Sequence, residues 1–165
     1  MTTSLPELKH PAALPEKLRG CLAFLLARVG YAIKLRAIDE FESEGFGLYQ
    51  YSVLEVLDEE DKETQAKIAD ALGLDRSQLV GVLDGLEERG LIERRRDPND
   101  RRRHTVSLTT EGKRQLVQMR GIVTRIEDSF LAPLDAQARE SLREALMLVA
   151  SHYDRRFSGV GGSSA

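Results

Sequence analysis

One junction in the sequence restricts the fold more than any other feature. A segment with the apolar spacing of a helix starts at Thr64 and ends at Gly73. After Leu74 alone, the pattern Asp75-x-x-Gln78 starts a second segment of the same kind. Glycine commonly ends a helix, and an aspartate followed three residues later by a glutamine forms a capping box that begins one. The chain must therefore turn sharply between two short helices.

The composition favours a mostly helical protein. The chain has 165 residues, with 41% hydrophobic residues, 5% aromatic residues and no Trp, which suits about one domain of charged helices. Apolar spacing predicts six helices, at about 15–42, 48–57, 64–72, 75–89, 109–132 and from 135 onward. The acidic segment 58–61 is expected to end the second helix as a solvated loop. The last two helices carry apolar seams that suit packing against other helices.

A β-hairpin is the only strand structure that the sequence predicts. Segments 91–95 and 104–108 have strand character, and Asp97-Pro98-Asn99-Asp100 between them is typical of a turn. The surrounding segment 89–103 carries seven arginines and three acids, a net charge of +4, in a chain whose net charge is −3. The rest of the chain therefore carries −7. An arginine run is usually a solvated surface, but two arginine triplets that flank one turn favour phosphate binding.

These elements together predict a winged helix-turn-helix. In that fold, the helix after the tight turn points its N-terminal end at base edges in the major groove. The fourth predicted helix has short polar and small residues on its outer face. A thin hairpin with arginines can enter the minor groove, where a narrow width attracts guanidinium groups. The expected fold is mostly α, with six helices and a small β-hairpin wing.

Three segments in this part of the chain resemble the MarR family of bacterial transcription regulators. The sharpest is Asp100-x-Arg102-x-x-x-x-x-Leu108-Thr109, which is similar to the wing signature of that family. Segment 86–94 before it and Glu111-Gly112 after it also resemble the family pattern at the same spacing. The resemblance extends from the long first helix to the last one, so it covers most of the chain.

The resemblance implies a homodimer that binds a pseudo-palindromic operator in double-stranded DNA and most often acts as a repressor. Residues 15–47 and 110–157 would form the helical dimerisation region, and 48–109 the DNA-binding domain. The apolar seams of the outer helices agree with dimerisation, although they could also pack within one chain. Residues 1–14 are expected to form a flexible arm and 158–165 a disordered tail, because neither has apolar periodicity.

The resemblance also assigns DNA contacts. The recognition-helix positions that meet the major groove are Ser77, Gln78, Val80 and Gly81. Arg102 matches the wing arginine that enters the minor groove, and Asp100 matches the acid that orients it. Contacts to the DNA backbone are expected from Gln65, Lys67, Arg76, Arg101 and Arg103. Gly81 and Gly85 stand where the family usually has longer side chains, so Gln78, the wing and DNA shape are expected to carry more of the specificity.

Two kinds of signal could control DNA binding by such a regulator, a small ligand or an oxidant. The chain could also act without any such signal. Family members commonly release DNA when a small aromatic or phenolic ligand binds. Arg19, Tyr31 and Tyr49 could hold such a ligand, although tyrosines at helix junctions are more often packing residues. Another branch senses peroxides through a cysteine near the start of the first helix. Cys21 is therefore a redox candidate, although a lone cysteine on an apolar face is more often a small core residue.

Other function classes find less support. No enzyme is expected, because the sequence lacks a Gly-x-Ser-x-Gly motif, a Walker loop and a complete dinucleotide fingerprint. One cysteine and three scattered histidines give little support to a metal site, and no cofactor is expected. Without a secretory signal or a long apolar run, the chain is expected to be cytoplasmic, with no membrane contact. The main alternative is a dimeric protein-interaction scaffold that does not read DNA, and the basic wing argues against it.

Overall fold

The computed structural model of the chain describes residues 13–60, 63–96 and 104–157. The helices are α1 Glu16–Arg19, α2 Leu22–Ser43, α3 Leu48–Glu60, α4 Gln65–Leu72, α5 Arg76–Glu88, α6 Thr110–Phe130 and α7 Ala136–Tyr153. The strands are β1 Glu63–Thr64, β2 Ile92–Arg96 and β3 His104–Leu108, and a short 3-10 helix occupies Arg155–Phe157. The predicted mostly helical fold with a small β-hairpin is confirmed. Most of the predicted arm and all of the predicted tail lie outside the described residues.

The chain divides into two compact units, 1–36 and 37–165. In the first unit, the predicted single helix from residue 15 is in fact two helices, because α1 ends at Arg19 and α2 begins at Leu22. Gly20, whose backbone freedom disfavours a continuous helix, ends α1 and donates its N–H to the Glu16 carbonyl. Among the described residues of this unit, none is buried. Most of the large apolar side chains of α2 up to residue 36 are exposed, among them Leu22, Val29 and Leu35.

A three-stranded antiparallel sheet lies in the second unit, in the order β1-β3-β2. The predicted hairpin pairs Ile92 with Leu108 at one end and Arg96 with His104 at the other. The third strand, β1, is missing from the sequence prediction because it has two polar residues and no alternation to reveal it. It pairs Glu63 with Val106 and so brings the start of α4 to the central strand.

The hydrophobic core of the second unit lies among the last turns of α2, the helices α3, α4, α5 and α6, and the sheet. Its fully buried side chains include Phe41, Val53, Leu54, Leu57, Ile68, Leu79, Leu83, Leu86, Ile92, Val106, Leu116 and Met119. Leu79, Leu83 and Leu86 recur at helical spacing on α5, so one face of that helix is packed inward. Its opposite face is left at the surface.

The acidic segment at 58–61 was expected to be a loop, but α3 continues through Glu60. Arg120 on α6 holds this part of α3, because its guanidinium binds Glu55 and Asp58 on one face of that helix. Tyr51 adds to this cluster from the turn before. Its burial, followed by its hydrogen bond to Glu55, raises its pKa well above the ordinary value. The two carboxylates therefore join α3 to α6.

The two long C-terminal helices differ in how they are covered. On α6, predicted seam residues Leu116, Met119 and Ile126 are buried within this chain. On α7, no side chain is buried, and Leu148 and Tyr153 are 75% and 84% exposed. The seam of α6 thus belongs largely to the chain's own core, whereas α7 leaves its apolar residues uncovered. No helix within the described ranges is long and apolar enough to cross a membrane.

Candidate nucleic-acid interface

The predicted turn between two short helices joins α4 and α5. Thr64 begins α4, since its Oγ1 accepts a hydrogen bond from the Lys67 backbone N–H at 3.3 Å. Gly73 ends α4 with a φ of +63°, a left-handed conformation that favours glycine. Asp75 then begins α5. Local capping chemistry therefore fixes both sides of the turn, as the sequence predicts.

The Asp75 carboxylate organises the first turn of α5. Its Oδ1 accepts hydrogen bonds from the Gln78 backbone N–H at 2.8 Å and from Ser77 Oγ at 2.7 Å. The Gln78 side-chain Oε1 in turn accepts from the Asp75 N–H at 3.3 Å, which completes the capping box. The bonds from Gln78 and Ser77 hold the pKa of Asp75 below its ordinary value. Two predicted base-contacting side chains are therefore held in defined positions by the cap.

The outer face of α5 presents all four predicted recognition-helix residues. Ser77, Gln78, Val80 and Gly81 are all exposed. A Cβ added at Gly81 would meet nothing within 4 Å, so no packing requirement explains this glycine. Gly85 differs, because a Cβ there would lie 3.2 Å from Gln50 Nε2 on α3. The two glycines that depart from the family pattern therefore have different environments, one open and one packed.

A groove of about 620 Å³ runs beside the start of α5. It brings together three residues predicted to contact the DNA backbone, namely Gln65, Lys67 and Arg76. His104, the first residue of β3, also lines this groove, together with the capping residue Thr64. The sequence pattern predicts only that His104 begins a strand. The pairing of β1 with β3 puts it beside the helix starts.

The cations in this groove differ in their partners. Lys67 Nζ lies 2.7 Å from Glu63 Oε1, a contact that raises the pKa of Lys67. Burial of Glu63 raises the pKa of that carboxyl, but hydrogen bonds from Lys67 and the Thr64 N–H outweigh burial and the net shift is downward. Among the described residues, Arg76 has no ionic partner. Arg76 is therefore the more available cation for a bound phosphate.

Residues Asp100, Arg101, Arg102 and Arg103 of the predicted wing lie outside the described residues. Three other arginines of the basic segment have partners within the chain. Arg94 binds Asp84 and Glu87 on α5, with 2.6 Å to the Asp84 carboxylate. Arg95 lies 2.9 Å from Glu93. Arg89 donates to the Gly45 carbonyl and lies over the Phe46 ring. Fewer arginines are therefore available to DNA than the net charge of 89–103 indicates. The sequence alone does not reveal these contacts.

The residues predicted for signal sensing are divided between the two units. Arg19, Cys21 and Tyr31 belong to the first unit, where Cys21 is exposed rather than a small core residue. Tyr49 belongs to the second unit and lines a cavity of about 560 Å³ with Gln50, Gln78 and Gly81. It therefore lies beside the recognition helix. No cluster of three or more His, Cys, Asp or Glu that could hold a metal ion occurs in the part of the chain that the structure describes.

Comparison with known proteins supports a DNA-binding regulator. Residues 48–104 match the model of the MarR family. A putative transcriptional regulatory protein for the hcr operon of Thauera aromatica is 35% identical over 143 residues, which are 85% of this chain and 82% of that protein. CouR from Rhodococcus jostii RHA1, solved with p-coumaroyl-CoA, is 31% identical with a TM-score of 0.68, over 82% of this chain and 96% of its own.

A structure with nucleic acid is also similar to this chain. A mutant of MarR from E. coli, solved in complex with operator DNA, is 25% identical with a TM-score of 0.67. The match covers 78% of this chain and 92% of that one. The winged helix-turn-helix is thus shared with a protein that binds operator DNA.

Proposed function

Because this chain belongs to the MarR family of transcriptional regulators, we propose that it is a repressor that binds a specific operator as a homodimer. The observation that carries the proposal is the outer face of α5 beside a groove lined by Arg76 and Lys67. Short side chains on that face suit base contacts, and the cations beside it suit phosphates. Repression would follow because the bound protein occupies a promoter. This binding would take place in the cytoplasm, where the DNA lies.

The exposed face of α5 would enter the major groove through Ser77, Gln78, Val80 and Gly81. The DNA backbone would pass along the neighbouring groove and contact Gln65, Lys67 and Arg76. The wing would add Arg102 in the minor groove, oriented by Asp100, with Arg101 and Arg103 on the phosphates. In this arrangement 48–109 is the DNA-binding domain, flanked by 15–47 and 110–157 as the dimerisation region.

Uncovered apolar surface supports the homodimer. Leu22 and Val29 on α2 are 76% and 56% exposed, and Leu148 and Val149 on α7 are 75% and 51% exposed. Large exposed apolar surfaces usually mark an interaction site. A two-fold dimer would place two recognition helices on successive half-sites, which is why the operator is expected to be pseudo-palindromic.

The inducing signal is proposed to be a small phenolic ligand. The support comes from the relative solved with p-coumaroyl-CoA and from the half-exposed Tyr49 beside the recognition helix. Arg19 and Tyr31, which belong to the first unit, stay predictions for ligand contacts. Adding p-coumaroyl-CoA or p-coumarate to the protein–DNA complex should then release the DNA, and Tyr49→Phe should weaken that response more than a distant Tyr153→Phe substitution.

Binding of Arg76 to a phosphate gives the sharpest test of the site. The full chain is titrated onto labelled DNA from upstream of its own gene, over a series of salt concentrations, with fluorescence anisotropy as the readout. Each phosphate contact contributes about 0.9 to the slope of log affinity against log salt concentration. Arg76→Ala should lower that slope by about 0.9 for each subunit bound.

Arg143→Ala is the matched control, because Arg143 is an exposed arginine on α7 that pairs with Glu140 on its own helix. This variant should bind like the parent. Arg102→Ala should lower the affinity without changing dimerisation. Equal slopes for the parent and Arg76→Ala would reject the proposed backbone contact.

A further inference from the structure

His104 lies in the groove that is also lined by the proposed contacts to the DNA backbone. It is an exposed residue at the start of β3, and it lines the same groove as Lys67 and Arg76. Its cross-strand partner in the hairpin is Arg96. Among common side chains, histidine is the one that ordinarily changes its charge between pH 5 and 8. The groove therefore contains a group whose charge can depend on conditions in the cell.

The charged groups around His104 are mainly cationic within the described residues. Lys67 on α4 and Arg76 on α5 line the same groove as His104, and Arg96 on β2 is its cross-strand partner. A protonated imidazole here would add a further positive charge to this set.

The acidic groups near the groove act on Lys67. On β1, the Glu63 carboxylate is buried and bonded to Lys67 and the Thr64 N–H. On α3, Glu60 acts electrostatically on Lys67. The helix α6 follows the opposite end of β3, after Leu108. A phosphate brought in by a ligand is therefore the anion that a protonated His104 would contact.

We propose that His104 is a DNA-backbone contact that takes up a proton when the chain binds DNA, so that affinity for DNA rises as the pH falls. The inference rests on the proposed function, because the phosphate is supplied by the DNA. The groove opens beside the first turn of the recognition helix, and in helix-turn-helix complexes that end lies next to the DNA strand.

The sign of the pH effect follows from linkage. DNA binds the protonated form more tightly, so DNA binding promotes the uptake of a proton. The extra affinity is therefore fully present at a pH low enough to charge the histidine in the unbound protein, and it is lost as the pH rises and the bound histidine loses its proton. Affinity changes by at most about tenfold per pH unit for each subunit that takes up one full proton.

The salt dependence provides a second, independent readout. A protonated His104 that neutralises one phosphate should steepen the plot of log affinity against log salt by about 0.9 per subunit. The parent chain should therefore have a steeper slope at about pH 6 than at about pH 8. A histidine that only stabilises the fold would not produce this change in slope.

The experiment uses full-length parent, His104→Gln and His152→Gln proteins. His152 is the matched control, because it lies on α7 against Tyr153 and does not line the groove. Binding is measured by anisotropy at both pH values over a salt series, on the upstream DNA and on a mixed-sequence duplex. His104→Gln should lose the pH effect on both duplexes and match the parent at the higher pH, whereas His152→Gln should behave like the parent.

The outcomes separate this inference from the proposed function. The role of His104 would be overturned if neither the affinity of the parent nor its slope of log affinity against log salt changed with pH. It would also be overturned if the pH effect survived in His104→Gln. Preference for the upstream DNA over the mixed duplex at the higher pH would still support the operator-binding function. Binding of neither duplex by the parent at either pH would overturn both.

Discussion

Replacing Arg120 with alanine removes the ionic contact between α3 and α6. The Nε of Arg120 lies 3.0 Å from Glu55 Oε1, and its Nη2 lies 2.6 Å from Glu55 Oε2 and 2.7 Å from Asp58 Oδ2. Arg120 is 45% exposed and both acids are 31% exposed, so solvent screens the charges and reduces the value of each bond. We therefore expect the free energy of unfolding to fall by about 1–2 kcal/mol.

Arg114→Ala is the matched control for this substitution. Arg114 also binds one carboxylate through Nε and Nη2, but its partner is Glu111 on the same helix. Its loss should leave the free energy of unfolding unchanged within error, because an exposed pair inside one helix adds little. Urea denaturation followed by circular dichroism, at one fixed protein concentration, measures both variants. Equal losses in the two variants would refute the reasoning.

Acid should reduce the effect of Arg120→Ala. The hydrogen bond from Arg120 is the largest cause of the lowered pKa of Glu55, and the Tyr51 hydroxyl also lowers it. A carboxyl with a lowered pKa contributes stability above its unfolded pKa, and that stability is lost as the pH falls through the folded value. The difference in unfolding free energy between parent and variant should thus be largest near neutral pH and should shrink below the ordinary glutamate pKa of about 4.3.

The remaining predictions concern the helix starts and the glycines. Asp75→Ala should lower the melting temperature, because it removes the cap of α5, whereas Asp75→Asn should retain most of it; equal melting temperatures for these two variants would contradict the role of the cap. Gly112→Ala should destabilise the fold by about 3 kcal/mol, since its Cβ would lie 2.0 Å from the Leu91 carbonyl oxygen. Gly81→Ala should instead stabilise it by up to about 1 kcal/mol in urea denaturation, because its Cβ meets no neighbour.

The parts of the fold that depend on residues close together in the sequence could be predicted from it. Thr64, Gly73 and Asp75 act through hydrogen bonds within three or four positions along the chain, or through their own backbone conformation. Apolar spacing likewise indicates the buried face of α5. These local rules predict that Ser77, Val80 and Gly81 lie on the outer face of the helix, where they are exposed. The assignment of these residues and Gln78 to the recognition helix came from the family resemblance.

Long-range contacts explain what the sequence did not reveal. In the second half of α3, Glu55 binds Arg120, which is 65 positions away in the chain. The second acidic partner of Arg94, Asp84, lies ten positions earlier on another element. The position of His104 in the groove depends on β1, which is too short to show a pattern. The spacing of Glu63 and Lys67, four residues apart, was the one local signal for a contact in the groove.

Sequence-specific binding to operator DNA is the central claim, and competition measures it most directly. The full chain is bound to labelled DNA from upstream of its own gene and challenged with unlabelled copies of that DNA or of a scrambled duplex. Specific regulators typically bind their site about 10³-fold or more tightly than other DNA. We expect the upstream competitor to displace the label at far lower concentration than the scrambled one, with affinity falling linearly in log salt. The account would be contradicted if the scrambled duplex displaced the label as well as the specific competitor does, for the upstream DNA and for every other genomic fragment tested. Binding that does not change with salt would also contradict it, and either result would favour a protein-interaction scaffold.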